Sequence, residues 1–166
     1  SVRCDLSVKL AAQLDAGELD LALAKRVAGQ PAATLGEGWQ VLRREPLCWF
    51  RADGSEAGEQ RPLPLAVFHE GCVFRGAALG ALAASGQRGE VRFTGSSITA
   101  LRHAVLAGLA IAPLPASLGV AGMHPLHTGL PELPDCELVA RFAAGEVQPA
   151  AQRLWALLAE QLRQQG

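Results

Sequence analysis

The chain has 166 residues, 49% of them hydrophobic and 19% charged, enough for one ordinary domain or two small lobes with a real core rather than a disordered segment. Its net charge of −1 offers no basic footprint for nucleic acid, so this chain by itself is not expected to hold DNA. No apolar run reaches a membrane span and nothing resembles a secretory leader, which excludes a membrane partner on this reading.

Cys4, Cys48, Cys72 and Cys136 stand far apart, without a CxxC pair or zinc-finger spacing, the pattern of reduced thiols in a cytoplasmic protein. The chain opens on Ser1 rather than methionine, which suggests a fragment.

In chain order, "SVRC" reads as the tail of a strand. Residues 7–16 read as a helix with Leu6, Leu10 and Leu14 on one face and Gly17 as its stop. Residues 18–24 ("ELDLALA") predict a strand buried on both faces. Residues 38–50 predict another, with Pro46 marking a bulge or an edge. The Gly-, Pro- and charge-rich residues 51–64 read as a loop or a crossing between lobes.

A strand at 65–68, a helix at 72–85 closed by Gly86 and a strand at 90–94 come next. A helix follows with Ser96 or Ser97 as its cap, an apolar stripe of Ile98, Leu101 and Val105, and Gly108 at its end. Residues 109–115 are a buried strand halted by prolines. A strand at 137–142 leads to a final amphipathic helix at 150–164, with Leu154, Leu157, Leu158 and Leu162 expected to face inward. Alternation of this kind predicts an α/β fold built on a parallel sheet.

In open α/β sheets ligands bind beyond the carboxyl ends of strands, where free amides and the helix dipole favour an anion. Three strand-to-helix turns qualify, at residues 5–7, 69–72 and 94–97. The turn in "VFHEGCVFRGAAL" holds His69, Glu70, Cys72 and Arg75. In a catalytic reading Cys72 is a thiol activated at a helix N-terminus and His69 is its base. In a plainer reading Cys72 is a small first-turn residue whose amide faces the ligand, His69 and Glu70 are polar turn residues, and Arg75 reaches solvent or an acid. No remote His/Asn pair completes a cysteine-hydrolase set, so no catalytic residue is assigned.

"HEGCV" lacks the second histidine of a zinc helix, and His124 and His127 in "HPLH" flank Pro125 in an apparent loop, so no metal site is assigned either. "TGSSI" is not a nucleophile elbow. Trp39, Trp49 and Trp155 read as core or lobe-interface residues, with Trp49 alone placed to form a ligand wall. No cofactor is implied.

The ordered series "LAAQLDAGELDLALAKR", "REPLCWF", "PLPLAVFHEGCVFRGAALGALAASG", "SSITALRHAVLAGLAIAPLP" and "GLPELPD" resembles LysR-type transcriptional regulators over nearly the whole chain, in a subgroup with an "EGC-x-F-R" turn. The resemblance implies a type II periplasmic-binding-protein-like effector domain of two α/β lobes joined by crossing strands. It assigns residues 1–58 with 120–166 to lobe I and 59–119 to lobe II.

It further implies binding of a small organic effector, a carboxylate or an aromatic metabolite, and assembly into homodimers and homotetramers. DNA would be bound only through an N-terminal winged helix-turn-helix. That module, its linker helix and the first strand and helix of lobe I have no counterpart here, so exposed apolar surface is expected at the incomplete sheet. Carried over position by position, the effector-facing residues are Ser7; Gly71, Cys72 and Phe74; and Thr94, Gly95 and Ser96, with Pro113 at the cleft edge; His69 and Glu70, polar residues of the same turn, complete the expected effector-binding set. Two other readings stay open: a solute-binding protein of the same two-lobed fold, and a cysteine-dependent enzyme or thiol sensor centred on Cys72.

Overall fold

The computed structural model describes residues 2–29, 35–145 and 147–164, with the side chains of 162–164 left out. The chain divides into two compact units, Ser1–Arg44 with Glu137–Gly166, and Glu45–Cys136. Residues 45–58 and 120–136, assigned above to lobe I, fall in the second unit; of them, residues 47–52 and 123–126 form strands that pair there.

The first unit begins with α1 (Ser7–Asp15), which buries Ala11 and Leu14 and ends through Gly17, whose φ of 73° closes the helix. Residues 2–4 form no strand, in place of the expected strand tail, and Ser1 lies outside the described residues. The first sheet contains β1 (Leu21–Val27), β2 (Gln40–Glu45) and β8 (Cys136–Phe142), in the order β1-β8-β2.

β1 starts three residues later than the apolar pattern suggested, because Glu18 belongs to the helix terminus, its amide donating to the Gln13 carbonyl at 2.9 Å. The core here joins Ala11, Leu14, Ala22, Ala24, Leu35, Trp39 and Val139. Helix α4 (Pro149–Gln164) packs Trp155 edge-on against Phe142, with ring centroids 5.7 Å apart. Its leucine stripe does not face inward as expected: Leu154 is 45% exposed and Leu157 59%, while Leu158 is half-buried. A 3.6-residue period marks an apolar face but does not say what covers it. Leu162 lies outside the described side chains.

On β8, the centre strand, Glu137 is 3% exposed. Its carboxylate accepts hydrogen bonds from Arg26 on β1 and Arg44 on β2, which answers the cost of burying the charge. Those two guanidiniums, Arg44 first, hold its carboxyl below the usual glutamate range.

The second unit contains β3 (Leu47–Ala52), β4 (Leu63–Phe68), α2 (Val73–Ala84), β5 (Gly89–Gly95), α3 (Ile98–Leu106), β6 (Ala112–Pro115) and β7 (Met123–Leu126). Pro46 splits the expected 38–50 strand in two: it has no N–H to donate, and its carbonyl turns to accept from Ala116. β3 then pairs antiparallel with β6 on one side and with β7 on the other. His124 and Pro125, expected in a loop, are strand residues opposite Arg51 and Phe50. β4 and β5 pair in parallel, and a parallel bridge joins Leu65 to Ile111 just before β6.

β4 is the most enclosed element: Leu63, Leu65, Ala66 and Val67 are fully buried between α2 and α3 clusters. Trp49 is core, 2% exposed, and its indole N–H donates to the Pro131 carbonyl at 2.9 Å, anchoring the "GLPELPD" segment.

Two outcomes follow. Leu65→Ala should cost about 2–5 kcal/mol by urea unfolding, since the site is fully enclosed and cannot collapse freely. Because the Glu137 carboxyl is held low, its contribution is present above the unfolded glutamate value, about 4.3, and is lost as pH falls through the lower folded value. Stability profiles between pH 6 and 2 should therefore be flatter at the acid end for Glu137→Gln than for the unmodified chain.

Candidate functional site

The parallel register sets Val67 opposite Thr94 and Phe68 opposite Gly95, so β4 and β5 end side by side. Each strand then enters a helix within a few residues. Two of the three expected turns, 69–72 and 94–97, are thereby brought to one edge of the second unit.

In the first turn the Cys72 amide donates to the His69 carbonyl at 3.2 Å, and Gly71 takes φ 86°, a conformation that a side chain would strain. His69, Glu70 and Gly71 are exposed and Cys72 is half-buried. Cys72 occupies the N-cap of α2 in extended conformation and makes no side-chain cap bond. The first turn of α2 has no acidic residue, so no carboxylate of its own answers its amides.

Arg75, weighed in the sequence but not assigned to the site, secures this turn. Its guanidinium donates to the Phe68 carbonyl at 3.1 Å and lies 3.6 Å from the Glu70 carboxylate. The sequence signal for it was a basic residue one helical turn after a glycine turn that itself carries an acid.

In the second turn Thr94 and Ser96 are exposed and Gly95 is buried. A Cβ on Gly95 would stand 2.8 Å from Leu101 Cδ1 and 2.9 Å from Phe93 Cε1, so a side chain there would have to displace both. Ser97 is the cap, its hydroxyl accepting from the Ala100 amide at 3.2 Å. Ser96 is therefore not consumed by capping.

Other expected site residues lie elsewhere. Phe74 is 5% exposed and packs at 6.5 Å, tilted, against Phe68 in a cluster with Leu47 and Cys136. Pro113 is fully buried on β6 opposite Trp49. Ser7 belongs to the first unit as the first residue of α1, where its hydroxyl accepts from the Lys25 amide of β1 at 3.0 Å.

Apart from the backbone bond between the Cys72 amide and the His69 carbonyl, no side-chain hydrogen bond or ion pair joins the His69 imidazole to the Cys72 thiol among the described residues. Among the same residues no group of three His, Cys, Asp or Glu side chains is placed to hold a metal ion. None of the four cysteines forms a disulfide among the described residues, and burial, followed by the charges of Glu45 and Asp135, pushes the Cys48 thiol up, toward the unreactive protonated form. The edge presents two exposed hydroxyls, a glycine turn and a guanidinium-braced strand end.

Solved structures share this fold at low identity. The bromide-bound regulatory domain of HypT from Salmonella typhimurium matches with a TM-score of 0.75 and 17% identity, over 98% of this chain and 82% of that one. The regulatory domain of CcmR from Synechocystis PCC6803, in complex with 2-PG, gives 0.69 and 16%, over 96% and 81%. DarR from Vibrio fischeri, in complex with DNA, gives 0.68 and 18%, over 96% of this chain and 56% of that one. No curated protein sequence is significantly similar to the chain. The family model that describes the LysR substrate binding domain matches residues 1–163, so the chain belongs to that family, the effector-binding domains of LysR-type regulators with their type II periplasmic-binding-protein-like fold.

Proposed function

We propose that this domain senses a small organic molecule, a carboxylate or an aromatic metabolite, and performs no chemistry on it. The observation that carries the reading is the shared edge of β4 and β5, where the 69–72 and 94–97 turns present donors and hydroxyls with no catalytic pairing behind them. Thr94, Ser96 and the Gly71 amide bind the effector's polar group, with His69, Glu70 and Cys72 at the rim. The CcmR regulatory domain with its 2-PG supports a small-molecule ligand for this fold.

The response is a population shift: the effector stabilises one arrangement of the domain by its differential affinity for it. The regulator of which this domain is part works in the cytoplasm as a homodimer or homotetramer. It meets DNA through a winged helix-turn-helix rather than through this near-neutral surface. DarR, seen in complex with DNA, supports a DNA-binding regulator around a domain of this fold. No helix among the described residues is long and apolar enough to cross a membrane.

The test is a melting-temperature screen of the domain against small organic acids, aromatic acids and amino acids. A ligand at about a hundred times its Kd should stabilise by roughly 2.7 kcal/mol, a shift of several degrees for a domain of this size. Thr94→Val and Ser96→Ala, both at exposed positions, should leave the unliganded melting temperature within about 2 °C and at least halve the ligand-induced shift. Cys72→Ser should retain that shift. Turnover of a screened compound that vanishes in Cys72→Ser would overturn the sensing reading in favour of thiol chemistry.

A further inference from the structure

The chain passes between its two units at residues 44/45 and 136/137, and one side chain engages both passages. Glu137 is the first residue of the returning segment and Arg44 the last of the outgoing one. Glu137 Oε1 accepts from Arg44 Nε at 2.9 Å and from its Nη2, while Oε2 accepts from Arg26 Nε at 2.7 Å.

One residue further along each passage a second tie follows: the Cys136 thiol donates to the Glu45 carbonyl at 3.5 Å. The Glu45 carboxylate in turn accepts from the Ser117 amide at 2.9 Å. A single arginine would balance the Glu137 charge. The second guanidinium adds what neutralisation does not require, a side-chain bond across the returning and outgoing strands, which are already neighbours in the sheet.

We propose that Glu137, with Arg26 and Arg44, is a charge lock that fastens the two connections between the units to each other, and that releasing it opens them locally, exposing Cys136 while both units stay folded. Hydrogen bonds between charged partners are the strong ones, and a carboxylate 3% exposed has little water to replace a lost arginine. Arg44, by contrast, is 58% exposed, so the bond it makes is the one that solvent can contest first. Local openings of this kind lie below global unfolding in free energy and are measurable separately from it.

Cys136, 3% exposed and directly before Glu137, is a built-in reporter. The whole chain would be treated with iodoacetamide at neutral pH in 0–2 M urea, and labelling at each cysteine followed by peptide mass. In the unmodified chain Cys136 should label slowly, with the full urea dependence of global unfolding. In Glu137→Gln its labelling without urea should rise roughly ten- to a hundredfold, the population change expected from losing one charge-assisted hydrogen bond, and should be nearly independent of urea. Cys48, on β3 within the second unit, should keep its slow, urea-dependent rate.

Arg44→Met, a change at a half-exposed side chain, should give a smaller rise of the same kind and serves if Glu137→Gln does not fold. Acceleration that only follows the fall in global stability, with an unchanged urea slope and in parallel at Cys48, would reduce the triad to an ordinary stabilising pair and overturn the proposal. So would fast, urea-independent labelling of Cys136 in the unmodified chain.

Discussion

The burial of β4 is the constraint on which the second unit depends. Leu63, Leu65, Ala66 and Val67 have no exposed surface, so the strand must be covered on both faces and paired along both edges. β5 supplies one edge in parallel register, and the Leu65–Ile111 bridge before β6 supplies the other, with the Ala66 amide donating to the Ile111 carbonyl at 2.8 Å. α2 and α3 contribute the covering residues, among them Ala78, Leu82, Leu101 and Val105. Once those conditions are met, β4 and β5 must terminate together, and two helix entries share one edge. The shared edge of the two turns is thus a by-product of how an apolar strand is enclosed.

The first unit answers a different demand. Its centre strand buries a carboxylate, and the flanking strands β1 and β2 each supply one arginine to it. An apolar residue at that position would be as easily buried, since charged pairs give no general gain over good packing. What the ionic arrangement adds is direction: three specific side chains, on three strands, in one geometry. Arg141 does a similar task nearby, lying 4.9 Å over the Trp39 ring while bonding the Asp15 carboxylate and the Glu37 carbonyl.

Much of the fold was legible where a single residue type dictates backbone geometry. Gly17, Gly86 and Gly108 close three helices, each with positive φ, where the sequence placed their ends. Ser97 caps α3, one of the two serines considered for it. The 69–72 and 94–97 turns were identifiable as strand-to-helix junctions from apolar runs meeting helical periods. Legibility failed where partners lie far along the chain. "MHPL" is a strand because β3 needs a second edge partner, which no local pattern of its own reveals. Phe74, expected at the site, packs in an apolar cluster with Leu47 and Cys136, and Pro113 is fully buried on β6; only packing decides that.

By itself the sequence determined the class of this protein: an α/β alternation with turn glycines and serines at helix entries, near-neutral charge, and thiols in no chelating pattern. These are local properties, set by hydrophobic period and allowed backbone angles. The tertiary structure alone decided that the two turns of the second unit meet, while Ser7 spends its hydroxyl on the Lys25 amide in the first. It alone decided that Arg26, Arg44 and Glu137, separated by up to 111 residues, form one charged cluster. The physical reason is common to both: register and pairing are long-range choices, made by which apolar faces can be buried together, and a one-residue slip would turn every side chain to the opposite face.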